Sequence, residues 1–297
     1  MTAGAGVTDP SGNDGQGTTG GASDPSDAES TSGPDTAGPE LDTTAGSTSE
    51  GETGEEPELW QPAPGTSWQW QLTETIDTSV DVDVYDIDLF DAPQAVIDTL
   101  HADGRRVICY FSAGSYEEWR DDADDFPVPA IGDPLDGWPG EAWVDHRDAG
   151  VRAIMQARLD LAVDKACDAV EPDNVDGFTN QTGFDLSADD QLDYNRFLAT
   201  EAHARGLSIG LKNDVDQVDD LVDAFDWALN EECVSYDECE TTSPFIDQGK
   251  AVFHVEYVDD PADGQALADT VCPQTTALGF STLIKEWDLT AWRIACP

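Results

Sequence analysis

Basic residues are scarce in this 297-residue chain, where 13 Lys or Arg stand against 63 Asp or Glu. A formal net charge of −50 repels phosphate, which excludes nonspecific binding to nucleic acid or to an anionic membrane. No run of 18 apolar residues occurs, so no transmembrane helix is expected. Residues 1–20 lack the basic start and apolar run of a secretory leader; for an exported protein the leader would have been removed before this numbering begins. Metal motifs are missing too. There is no Cys-x-x-Cys and no His-Glu-x-x-His, and His101, His146, His203 and His254 are scattered, so neither metal nor cofactor is expected. No Gly-x-Gly-x-x-Gly follows a strand-like run, which disfavours a dinucleotide site.

The first 58 residues lack still more. They hold no Lys, no Arg and no aromatic residue, while 13 are Asp or Glu and the remainder is rich in Gly, Ser, Thr and Pro. Such a composition cannot bury enough apolar surface to offset the entropy of ordering. Residues 1–58 read as a disordered, self-repelling tether, of the kind expected behind a cell-surface anchor.

What is there begins at Leu59. All nine Trp, six Tyr and ten Phe lie in 59–297, enough for one large core. This part carries 50 acids and 13 bases. Its negative charge suits a solubilising surface in a salty medium, or the attraction of a cationic ligand, and the two readings are compatible. Six cysteines, an even number, fit an exported, disulfide-bonded domain, although six allow 15 connectivities. Sequence proximity favours Cys233–Cys239 and Cys272–Cys296, leaving Cys109 with Cys167.

Short β-rich runs recur along the domain: "SWQWQL" (67–72), "VDVYDID" ending at Asp88, "RVICYF" (106–111), "DAVEPD" (168–173), "SIGLKN" (208–213), "WALNEE" (227–232), "AVFHVEY" (251–257) and "LGFSTLIK" (278–285), with "AWVD" (142–145) weaker. Helical patterns lie between several of them. One places Val96, Ile97, Leu100 and His101 on one face and stops at Gly104. Another repeats apolar residues at 151, 154, 155, 159, 162 and 163. A third opens at Ser187 as N-cap and closes at Gly206. Strand, helix, strand repeated about eight times in one domain predicts an α/β fold with a single (β/α)8 TIM-type barrel.

Chemistry in such a barrel sits where the strands end. Those ends carry Asp86 and Asp88; Tyr110 and Ser112; Glu171 and Asp173; Lys212, Asn213 and Asp214; Asn230, Glu231 and Glu232; Glu256 and Tyr257; and Lys285 with Trp287. Singly, each acid reads as a solvated strand end. Together, acids from four or five segments would point at one mouth, where crowding keeps one carboxyl protonated beside another that is ionised. Glycoside hydrolysis uses such a pair. Trp70, Tyr85, Tyr110, Tyr257 and Trp287 would offer stacking faces for sugar rings, or else ordinary packing. Lys212, alone among carboxylates, would hold Asp173 or Glu171 ionised, with Asn213 and Asn230 orienting hydroxyls or the neighbouring acids.

Seven blocks, "CYFSAGSYEEWR", "EAWVDHRD", "ARLDLA", "CDAVEPDNVDGF", "GLKND", "LNEECVSYDEC" and "VFHVEY", occur in an order that resembles the glycoside hydrolase family 114 domain, the endo-α-1,4-polygalactosaminidase group. The resemblance implies a (β/α)8 barrel in an extracellular setting, acting on α-1,4-linked galactosamine polymers. Carried over, Asp173 would be the nucleophile and Glu231 the general acid/base, with Glu171 and Glu232 as substitutes within each cluster. Asp86, Asp88, Tyr110, Glu171, Asn174, Lys212, Asn213, Asp214, Glu232, Glu256, Tyr257 and Trp287 form the expected substrate-binding set. The partner would be a cationic aminosugar polysaccharide met by a monomer, secreted or tethered at the cell surface. Two rivals stay open: a barrel that grips such a polymer without cutting it, and a glycosidase of the same fold for another α-linked glycan.

Overall fold

The computed structural model describes residues 59–297; the expected tether, 1–58, lies outside the described residues. In chain order the strands are β1 (Trp68–Gln71), β2 (Val84–Asp88), β3 (Arg106–Ser112), β4 (Ser115–Glu117), β5 (Ile131–Pro134), β6 (Glu141–Val144), β7 (Ala169–Asp173), β8 (Ser208–Lys212), β9 (Trp227–Glu231), β10 (Val252–Val258), β11 (Ser281–Glu286) and β12 (Ile294–Ala295). The helices are α1 (Gln94–Ala102), α2 (Ala149–Asp164), α3 (Ala188–Ala204), α4 (Val218–Leu221), α5 (Cys233–Tyr236), α6 (Ser243–Asp247) and α7 (Gly264–Leu278).

Eight strands pair in parallel in the order β1-β2-β3-β7-β8-β9-β10-β11, and β12 adds antiparallel to β11. The sheet is curled in the manner of a TIM-type fold. Its seam, between β1 and β11, is occupied by the chain following β11. Leu72 N donates to Leu289 O at 3.0 Å, Gln69 Nε2 to Ala291 O at 2.9 Å, and the Arg293 guanidinium to Trp68 O. Lys285 reaches across to the same segment, donating to Thr290 O and Trp292 O.

Period-two alternation sorts the strand residues onto two faces. Trp68, Trp70, Val84, Ile108, Ala169, Trp227, Leu229, Phe253, Val255 and Leu283 form one buried cluster inside the curl. Their neighbours in sequence, among them Tyr85, Ile87, Val107, Cys109, Val170, Ile209 and Val252, pack outward against the helices. Gly210 is small for a reason: a Cβ there would sit 2.4 Å from the Trp227 ring. For two of the aromatic residues this arrangement decides between a sugar platform and ordinary packing in favour of packing. Trp70 is interior filling, with the Lys212 ammonium 4.6 Å from its ring centroid. Tyr85 faces outward, buried, with its hydroxyl donating to Asp77 O and Val80 O.

The helices follow their signals with two amendments. α3 carries a capping box, Ser187 Oγ accepting from Asp190 N while Asp190 accepts from Ser187 N. α2 buries Val151, Ile154, Met155, Leu159 and Ala162, yet Val163 is exposed, and the fully buried polar member of that face is Arg158. The alternation is less regular than eight repeats: no helix separates β1 from β2, and those after β8 and β9 are short. "AWVD" belongs to β6 of a separate three-stranded antiparallel sheet, β4-β6-β5, inserted at the end of β3. Disulfides join Cys109–Cys167, Cys233–Cys239 and Cys272–Cys296. Among the described residues no helix is long and apolar enough to cross a membrane.

Candidate active site

The interior face becomes ionic where the parallel strands end. Lys212, last residue of β8 and fully buried, is its centre. Its Nζ lies 2.7 Å from Glu171 Oε1, 3.3 Å from Asp173 Oδ1 and 3.4 Å from Glu231 Oε2. Burial opposes the ammonium, but the charges of Asp173, Glu171 and Glu231 outweigh it and hold its pKa well above the ordinary value. One cation thus gathers carboxylates from β7 and β9. The shared contact also bounds the Asp173 and Glu231 oxygens to within about 7 Å of each other, the range in which paired carboxyls act on glycosidic bonds.

Each of those two acids is aimed by further donors. Asp173 accepts from the Tyr110 hydroxyl at 2.9 Å and from the Asn174 backbone N–H at 2.8 Å. Glu231 accepts from the Tyr257 hydroxyl and from Asn213 Nδ2 at 3.1 Å, while its own N–H donates to Asn213 Oδ1 at 2.9 Å. Burial, reinforced by the neighbouring carboxylate, pushes both tyrosines well above the usual phenol range, so each remains a donor.

The backbone beyond these strands turns sharply. Asn174 (φ 60°), Asn213 (φ 49°), Asp214 (φ 45°) and Glu232 (φ 59°) are all left-handed, directly after Asp173, Lys212 and Glu231. Non-glycine residues with φ > 0 are uncommon, Asn and Asp tolerate it best, and such residues concentrate at functional sites. Here the turn lets the last strand residue project into the mouth instead of running on with the chain. Gly114 fits against this turn, since a Cβ there would lie 1.6 Å from Asn174 O.

Below the mouth, Asp86 is fully buried. Burial, then the charge of Glu171 and a hydrogen bond to it, raise its pKa well above the carboxylate range. Glu171 is also raised, first by burial, while Lys212 and Asp86 draw it back. Burial and the neighbouring carboxylate thus favour the protonated form of Asp86, while Glu171 stays paired to Lys212. Asp176, half-buried, is pushed up to about 6 by burial and by the charge of Asp173. It follows Asp173 by three residues and belongs to the same acidic environment, although the expected set omitted it; its nearness was legible in "EPDNVDG".

Several expected binding residues have other occupations. Asp88 is buried in an ion pair with Arg120 at 2.7 Å and accepts from the N–H groups of Phe90 and Asp91. Glu256 falls on the outward face of β10, where it accepts from Val234 N and from Ser235 Oγ at the start of α5. Asp214 is buried behind the site, bound by Asn195 Nδ2 at 2.7 Å, and burial lifts its pKa to about 8. Asn230, adjacent to Glu231, points outward by alternation and is buried. Asn174 turns its amide to Ser112 Oγ at 2.9 Å. Glu232 is half-buried at the rim, its pKa raised by burial and then by Glu256 and Glu231. Trp287 stacks on Tyr257 with centroids 4.1 Å apart and 12° between planes, and is 46% exposed. The structure thus brings together Asp86, Tyr110, Glu171, Asp173, Lys212, Asn213, Glu231, Tyr257 and Trp287, and sets Asp88 and Glu256 aside.

The arrangement can protonate one side of a bond and attack the other, next to an aromatic face. A model of glycoside-hydrolase family GH114 matches residues 49–297. Among solved structures, Aspergillus fumigatus Ega3 in complex with galactosamine superposes with a TM-score of 0.76 at 46% identity, over 80% of this chain and 97% of that one. The glycoside hydrolase domain of PelA from Pseudomonas aeruginosa gives a TM-score of 0.61 at 13% identity, over 77% of this chain and 98% of the other, a likeness of fold alone. No curated protein matches the chain.

Proposed function

The chain belongs to glycoside-hydrolase family GH114, and from that premise we propose that it is an endo-acting hydrolase of α-1,4-linked galactosamine polymers, working by retention with Asp173 as nucleophile and Glu231 as general acid/base. The observation that carries this reading is the single ammonium of Lys212 touching both carboxylates. Asp173 bonds to the anomeric carbon as Glu231 gives its proton to the departing oxygen. Water, deprotonated by Glu231, then displaces Asp173 from the same carbon. Tyr110 and Tyr257 fix the two acids, and the stacked face of Trp287 is placed for a sugar ring beside Glu231.

A galactosamine polymer is cationic where it is deacetylated, and the acid-rich domain attracts it. Galactosamine bound to Ega3 supports that substrate class. We read the curled sheet as a (β/α)8 barrel completed at its seam by residues 288–295, sufficient for activity as a monomer. Residues 1–58 act as a tether holding this exported domain away from the cell surface.

The test is incubation of the protein with deacetylated galactosamine polymer, following new reducing ends, with Asp173→Asn in parallel. Reducing ends from the wild type and none from the variant support the reading. Retention of polymer without new ends would leave a binding protein instead.

A further inference from the structure

The exposed tryptophans of the described residues are all on one side of the molecule in chain terms. Trp119 (52% exposed) and Trp138 (51%) lie in the insertion after β3, and Trp287 (46%) follows β11, so each sits in a segment leaving the C-terminal end of a parallel strand. The remaining six tryptophans are buried or half-buried. Exposing a large aromatic ring forfeits its burial, so confinement of all three to the mouth side is a pattern to be explained.

The insertion is tied directly to Asp173. Ala113 N and Gly114 N both donate to Asp173 O, and Val144 N donates to Gly114 O. Ser115 Oγ donates to Glu141 Oε2 at 2.7 Å. Burial raises the pKa of Glu141, and the charge of Asp173 adds to that, which marks the two carboxylates as neighbours. One residue before Glu141, Gly140 (φ 95°) marks the place where Trp119 and Glu118 converge. A Cβ there would lie 2.9 Å from Trp119 Cζ3 and 3.1 Å from Glu118 Oε1. Glu118 is exposed and has no ion pair among the described residues. Trp138 belongs to the same turn, with Glu141 N donating to Trp138 O at 3.1 Å.

We propose that Trp119, Trp138 and Glu118 form a distal subsite for a further galactosamine residue of the same polymer, on the Asp173 flank, opposite the Trp287 platform on the Glu231 flank. An indole face takes the apolar face of the sugar ring, and the adjacent carboxylate takes its ammonium. The indole alone would not distinguish an aminosugar from a neutral sugar; the carboxylate converging with it over Gly140 does. A chain held on both flanks passes through the carboxylate pair with polymer on either side, which is the geometry of internal cleavage. The inference rests on the substrate reading given above.

The test compares wild type with Trp119→Ala, Trp138→Ala, the double variant and Glu118→Gln, on long deacetylated galactosamine polymer and on short oligomers, with thermal unfolding as a fold control. Retardation in native gels containing the polymer measures binding separately from cleavage. Each tryptophan variant is expected to raise KM for the polymer about threefold to tenfold, with kcat, short-oligomer kinetics and Tm unchanged. Glu118→Gln is expected to weaken retardation by deacetylated polymer while leaving that by N-acetylated polymer unaltered. Variants that match wild type in both retardation and KM overturn the subsite, and new reducing ends in the same experiment would leave the hydrolase reading intact. Tryptophan-dependent retardation with no new reducing ends from wild type would overturn the hydrolase and keep the subsite. A wild type that is neither retarded nor active overturns both.

Discussion

Lys212 and Glu171 form an ion pair of 2.7 Å in which neither side chain is more than 2% exposed. Removing one member of a buried pair leaves an uncompensated charge, at a cost of about 3–5 kcal/mol. Lys212→Met is therefore expected to lower the urea midpoint by a corresponding amount and to remove most turnover, because Asp173 and Glu231 lose their common contact. An unchanged midpoint would show that the ammonium does not organise the site.

Asp173→Asn and Glu231→Gln are each expected to abolish most turnover while keeping Tm and polymer retention close to wild type. Glu171→Gln and Glu232→Gln should cost less, the first through its contacts to Lys212 and Asp86, the second from the rim. Steady-state kinetics on all four variants checks the assignment. Greater damage from Glu171→Gln than from Asp173→Asn, or from Glu232→Gln than from Glu231→Gln, would exchange the roles within that cluster.

Asp214 gives a pH-dependent expectation. Its folded pKa, raised by burial to about 8, lies above the unfolded value of about 3.9, so between those limits the native state binds more protons than the unfolded one. Stability contributed by this group is then complete below pH about 4 and lost as pH rises towards 8. Asp214→Asn keeps an acceptor for Asn195 and suits the left-handed backbone at φ 45°. It should match wild type in urea at about pH 3.5, below the unfolded value, and exceed it progressively up to pH 8. A gain independent of pH would refute the titration.

The disulfides differ in the loops they close. Cys109–Cys167 spans a separation of 58 residues and Cys233–Cys239 one of 6. Chain-entropy reasoning gives about 4 kcal/mol for the first and about 2 kcal/mol for the second. Replacing each pair by serine should reproduce that ordering in urea denaturation. The short loop begins two residues after Glu231, so its removal should lower kcat more than its stability effect suggests.

The strands of the main sheet were legible because each is a short β-rich run bounded by turn residues, and their ends were legible as a recurring acid or polar residue. Facing was harder. Glu256 and Tyr257 are adjacent, and alternation permits only one of them to enter the mouth; the sequence offers no sign of which without the register of β10 against β9, His254 opposite Asn230. Asp88 reads as a mouth acid until Arg120, 32 residues on, is seen to occupy it. The antiparallel insertion shows in the sequence as one weak strand only, because β4 has three residues and β5 contains Gly132 and Pro134. Its tryptophans carry no sequence signal of a subsite, because only the insertion's own hydrogen bonds tie their segment to Asp173.

The seam between β1 and β11 bears on the order in which the molecule can be made. β1 precedes every other strand in the chain, yet the N–H groups of Leu72 and Thr73 donate to Leu289 O, and Trp68 O accepts from Arg293. Trp68 and Trp70 share their buried cluster with Leu289 as well. A nascent chain emerging from the ribosome can pair its strands one after another but must wait for residues 289–293 before the first strand is covered. Until then the edge of β1 is open to other chains, and the Cys272–Cys296 bond, which ties the segment after β11 to α7, can form only once Cys296 has emerged. Ribosome stalling near Glu286 would therefore yield a product that aggregates, whereas the same stall placed beyond a linker after residue 297 would not.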